Sequence, residues 1–189
     1  MTNKHTQFLV GPSIQGKNNL LKIITEIGIL SSSFINSWFE GNDKDVARNS
    51  HFALKNLDNI TNELLRHRDS KRNLGDWSKN PLKLELEKNV GFLLNLKTGN
   101  EKNDFYSLAH GYGPFPNDNL LDLTLEVALN KLKHRSTDQK AVNFSISNNP
   151  NSHVLYIFTT GVGKISDTIC SINIKAFCHA CNSAVNAIP

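Results

Sequence analysis

The sequence predicts an α+β fold in which an N-terminal helical hairpin and one further helix pack on one face of a mostly antiparallel sheet of about five strands. Three observations carry that expectation. Apolar residues recur at spacings of three and four through the first third of the chain, the signature of amphipathic helices. The last third instead alternates apolar and polar residues in short runs separated by Asn, Pro and Gly turns. At 189 residues the chain suits a single domain, 1–189, large enough to bury a core without disulfides or metal.

The first helix is read from Leu20, Ile23/Ile24, Ile27, Leu30, Phe34/Ile35 and Trp38, which form one face. Gly41-Asn42-Asp43 interrupts it, and Asn42 or Asp43 suits the N-cap of a second helix. Its stripe is Val46, Ala53/Leu54, Leu57, Ile60 and Leu64, and it ends in the basic segment Arg66 to Asn73. Leu82, Leu84 and Leu86 alternate with charged residues, and Val90 to Leu96 is nearly all apolar. Two strands around a turn at Lys88-Asn89 are expected here, with a single helix as the alternative. A Gly/Pro/aromatic loop, His110 to Pro116, precedes a third helix running from after Asn117 to about His134, with Leu121, Leu125, Ala128 and Leu132 on one face. Three strands complete the chain: Val142 to Ser147, His153 to Thr159, and an alternating run from Cys170 to Ala176. Short connections make them an antiparallel meander.

Composition bounds the function. Hydrophobic residues are 39% and charged residues 20%, which excludes a disordered or collagen-like chain. Lys and Arg number 21 against 17 acids, a net charge of +4. The 25 Asn favour turns and caps over long helices. The polar N-terminus leads into only Phe8-Leu9-Val10, too short for a signal-peptide core. Leu20 to Phe39 is interrupted by Lys22, Glu26 and a serine run, so no membrane span is expected. The three cysteines cluster at one end, and the expected compartment is the cytoplasm. Oligomeric state and cofactor are left unspecified by these features.

Several motifs bear on chemistry. Basic clusters, Arg66, Arg68, Lys71 and Arg72, then Lys131, Lys133, His134, Arg135 and Lys140, close two helices. Such cations neutralise phosphates, although helix C-termini also attract them without any ligand. His110 lies in the aromatic loop, and Arg48 and His51 sit one turn apart on the second helix. Together these three are the candidates for general acid-base work on a phosphodiester. Asn95-Leu96-Lys97 has the lysine but not the acid of a metal-dependent nuclease strand, leaving Glu85, Glu87 and Asp76 as displaced carboxylates. Cys178-His179-Ala180-Cys181 has the spacing of one half of a zinc site, with Cys170 nearby. Four ligands are needed, and no metal is expected.

Phe8-Leu9-Val10-Gly11-Pro12-Ser13-Ile14-Gln15-Gly16-Lys17-Asn18 sets an apolar run before glycines and a lysine at the start of a helix. The string resembles the phosphate-binding loop of P-loop nucleotide hydrolases, G-x-x-x-x-G-K-[ST]. That resemblance implies phosphate held by Gly11, Gly16 and Lys17. Asn18 replaces the Mg²⁺-binding hydroxyl, and the helix after it is followed by another helix instead of a parallel strand. Three functional expectations follow. The first is a basic nucleic-acid binder, for DNA or RNA, with phosphodiester processing as an added activity. The second is a non-catalytic protein-interaction module, an inhibitor or adaptor, marked by an exposed apolar patch instead of a basic one. The third is a degenerate P-loop nucleotide binder.

Overall fold

In the computed structural model, residues 14–73, 77–108, 120–147, 151–161 and 166–188 are described. Helices α1 (Ile14–Phe39) and α2 (Asp43–Arg72) form the expected hairpin. Asn42 caps α2 by accepting from the Asp45 N–H. The stripe read from sequence is buried: Leu20, Ile24, Ile27 and Phe34 on α1, and Val46, Ala53, Leu57, Ile60 and Leu64 on α2.

Residues 82–86 form helix α3 (Pro81–Leu86), where a strand was expected. Leu82 and Leu86, four apart, are buried while Leu84 between them is exposed. A period of two also satisfies a spacing of four, and the ends decide the matter. Asn80 caps by accepting the Leu82 N–H at 3.0 Å, and Pro81 stands in the first turn, where its missing donor costs nothing. Lys83 pairs with Glu87 and Lys88 with Glu85, as helix neighbours do.

Strand β1 (Asn89–Asn95) follows, then helix α4 (Gly99–Ser107), begun by a capping box of Thr98 and Glu101. The expected third helix is shorter, because its start is strand β2 (Leu121–Thr124), after which α5 (Leu125–Lys133) begins at the Thr124 cap. Strands β3 (Val142–Ser147), β4 (Ser152–Thr159) and β5 (Thr168–Asn173) make the predicted meander. The last strand stops earlier than its alternation suggested. Asn173 accepts the Ala176 N–H and opens α6 (Ile174–Asn186), so Ile174 and Ala176 are helical. Ile174, Phe177, Cys181, Ala184 and Val185 then turn into the core at helical spacing.

The sheet order is β2-β1-β5-β4-β3, and every pairing is antiparallel. One face, with Leu123, Phe144, Leu155, Ile157, Cys170 and Ile172, packs against α1, α2, α5 and α6. The alternate residues Leu94, Val154, Tyr156, Phe158 and Ile169 point the other way and meet Phe105 of α4. The layer over the first face thus includes α6 besides the predicted helices. Among the described residues no helix is long and apolar enough to cross a membrane.

Candidate functional site

Nearly all the candidate cations lie along α2 and α5, which pack against each other. Each end of that contact is latched by an arginine from one element on a carboxylate of the other. Arg68 is 10% exposed; its Nε donates to Asp69 at 2.8 Å and its Nη1 to Glu126 at 3.1 Å and Asn130 at 3.3 Å. Arg72 joins it on Glu126 at 2.7 Å and stacks its guanidinium 5.1 Å from the Trp77 ring centre. At the other end, Arg135 grips both oxygens of Asp58 in a two-pronged pair, with Nη2 at 2.7 Å from Oδ2. Arg66 pairs with Glu63, and Arg48 with Asp45 at 3.1 Å.

The lysines divide differently. Lys131 donates to the Thr168 hydroxyl at 2.6 Å, and partial burial lowers its pKa. Lys71, Lys133 and Lys140 have no carboxylate partner among the described residues. His67 stands by Lys71; burial, then the Arg66 charge, hold its pKa below the usual histidine value. The five arginines are therefore each paired with an acid of the chain, and Arg68, Arg72 and Arg135 tie α2 to α5 and the residues that follow it.

The structure brings His51 and Arg135 to one cleft of about 520 Å³ between α2, the segment before β3, and β3 itself. Ser50, Thr137 and Asp138 add polar groups over an apolar floor of Leu54, Val142 and Phe144. Arg48 is turned to Asp45 and is not among the residues of this wall. With Arg135 held by Asp58, and Asp138 on the same wall, the cleft has little net charge to offer a phosphate. It is shaped to receive a largely apolar group with a few hydrogen bonds.

Behind the cleft lies a close Ser-His contact that no spacing in the chain signals. Ser50 Oγ lies 3.1 Å from His153 Nε2, and the two residues are 103 apart in sequence. His153 is fully buried, its ring stacked 3.8 Å from Phe34, and its Nδ1 has no partner among the described residues. Burial drives its pKa down to about 3. Which of the two groups donates follows the imidazole tautomer. In either tautomer Nδ1 meets no carboxylate among the described residues to steady an imidazolium, as a catalytic triad requires. The pair is a core contact.

Lys17 donates to the carbonyls of Asn186 at 3.3 Å and Ile188 at 3.2 Å, closing the C-terminal end of α6. Gly16 is within α1, whereas Gly11 and His110 lie outside the described residues. Cys178 and Cys181 face the core on α6 while His179 points outward. Burial pushes the Cys170 and Cys178 thiols up to about 12 and Cys181 well above its usual value. Protonated thiols are poor zinc ligands. Among the described residues no group of three potential metal ligands exists.

Sequence reasoning missed the other feature of α2, its exposed apolar side chains. Phe52 is 45% exposed, Ile29 opposite it on α1 is 60% exposed, and Phe39 at the hairpin tip is 64% exposed. Ile29 and Phe52 wall a groove of about 390 Å³ together with Leu30, Glu26, Lys55 and Asn56. The available signal was phase: both residues stand out of step with the stripes that mark the buried faces. The edge strand beside α2 is, by contrast, guarded. Val142 and Phe144 donate their N–H groups to Gln139 O and Asn143 Oδ1, which discourages an added strand.

Fold and surface together define an α+β chain whose arginines are paired with its own acids and whose helical hairpin exposes apolar side chains. Compared with known proteins, the chain matches no family model, no curated protein and no solved structure.

Proposed function

We infer that the chain is a non-catalytic protein-interaction module that meets its partner through the outer face of the α1/α2 hairpin. One contrast carries the reading: Arg48, Arg66, Arg68, Arg72 and Arg135 are all spent on carboxylates of the same chain, while Ile29, Phe39 and Phe52 project into solvent. Ile29 and Phe52 wall one groove, and burial of large apolar side chains that stand together favours a protein partner. The neutral cleft beside His51 offers a second recess on the opposite flank of α2 for an apolar side chain of that partner.

Nucleic-acid contact is the competing reading, supported by Lys71, Lys133 and Lys140, which have no ion-pair partner among the described residues. A salt series on labelled duplex DNA and on RNA separates the two. Seven cations of the 66–72 and 131–135 clusters acting together give a log-log slope of about −6 on duplex DNA. Lys71, Lys133 and Lys140 alone give about −3. The expected result is weak binding with the shallow slope, and a slope near −6 with tight binding at low salt overturns the interaction-module reading.

A further inference from the structure

The occupant of the hairpin groove follows from the charges on its two walls. Glu26 stands on the α1 wall and Lys55 on the α2 wall, both exposed, with Ile29, Leu30 and Phe52 between them. Neither charge has an ion-pair partner among the described residues. A patch with one acid and one base on opposite walls is self-complementary. A two-fold axis running along the helices lays α1 of one copy over α2 of the other. Glu26 then meets Lys55 twice, and Phe52 meets Ile29 twice.

A two-fold axis across the helices lays α1 on α1 and α2 on α2 instead, which leaves Glu26 of each copy without Lys55 of the other opposite it. Isologous interfaces need this kind of self-matching surface, and two helical hairpins packed face to face make a four-helix layer. The length suffices: 26 residues of α1 span about 39 Å. Resting on the interaction-module reading above, we propose that the partner of this face is a second copy of the same chain, docked hairpin to hairpin with Glu26 of each copy paired to Lys55 of the other.

Charge exchange tests the arrangement on the full chain. Glu26→Lys and Lys55→Glu are both at exposed positions, and circular dichroism checks that each variant keeps its helices. Sedimentation velocity over a concentration series is expected to give a dimer for the unchanged chain. Each single variant, with like charges facing across the axis, is expected to dissociate at least tenfold more readily. Mixing the two variants, one carrying an affinity tag, is expected to restore association as a heterodimer, because each copy then supplies the charge the other lacks. A chain that stays monomeric at every concentration overturns the proposal. So does a dimer indifferent to the single exchanges, or a mixture that fails to pair. Those failures leave the interaction-module reading standing if Phe52 is found against another protein, whereas a steep salt response on DNA removes that reading itself.

Discussion

Gly91→Ala lowers the unfolding free energy by about 4 kcal/mol or more, enough to prevent accumulation of folded chain. Gly91 sits in β1 at a bulge, where the register shifts between Asn89 and Gly91 and the Asn89 side chain takes up the Gly91 N–H at 2.8 Å. A Cβ added there meets the Ser171 carbonyl oxygen at 1.8 Å, its carbon at 2.9 Å and the Ile172 Cα at 3.3 Å. These are backbone atoms of β5, which cannot rotate away as a side chain could. Relief requires β1 to part from β5, and β1 also carries β2, so the damage spreads across half the sheet. Gly28→Ala is the control. It lies within α1 with nothing within 4 Å of an added Cβ, and it stabilises by about 0.5–1 kcal/mol through helix propensity. Urea unfolding of the two variants checks the opposite signs.

Phe34→Ala is expected to cost about 3–5 kcal/mol, the range for removing a buried aromatic ring. Phe34 is fully buried and joins three rings: Trp38 at 5.6 Å, Phe144 edge-on at 5.7 Å, and His153 stacked at 3.8 Å. It is the point where α1 grips β3 and β4. The substitution also changes the acid response. In the native chain burial holds the His153 pKa at about 3, against 6.5 when unfolded. Above pH 6.5 both states are neutral and the contribution of His153 is constant. Below 6.5 only the unfolded chain takes the proton, so stability falls by about 1.4 kcal/mol per pH unit until pH approaches 3. Opening the stack to water raises the native pKa and flattens that loss. Denaturation midpoints at pH 7 and pH 4.5 check both effects, with His153→Phe, which keeps a ring on Phe34 but cannot titrate, as the reference. Equal loss of stability on acidification in the unchanged chain and in His153→Phe would overturn this role of His153.

Much of the fold was legible because long periodic segments leave few alternatives. The α1/α2 hairpin, β3 and β4 follow from stripes of helical or strand period and from Asn and Gly turns between them. Short elements were ambiguous for a physical reason. In α3, Leu82 and Leu86 suit a strand face and a helix face alike, and only the Asn80-Pro81 cap distinguishes them. At 121–125 and 173–174 a strand passes into a helix through a single capping residue, Thr124 or Asn173, so the apolar pattern runs across the junction without a break.

The candidate site was legible in its residues but not in its pairings. The arginines near helix ends are plain in sequence, yet Glu126 lies 58 residues from Arg68 and Asp58 lies 77 from Arg135. Whether a cation is free for a ligand depends on such long-range partners. The Ser50–His153 contact is hidden for the same reason. Ile29 and Phe52 were in view throughout, as large apolar residues out of phase with the buried stripes, and they mark the surface on which the functional reading rests.

The claim that the hairpin face, and not the basic helix ends, meets the partner is tested most directly by paired photo-cross-linking in cells. A photo-reactive phenylalanine analogue at position 52 is compared with the same group in place of Lys133, at the basic end of α5. A discrete protein adduct is expected at 52 and is lost when Ile29→Asp is added, with no nucleic-acid adduct at 133. Nucleic acid captured at 133, with no protein captured at 52, would contradict the claim.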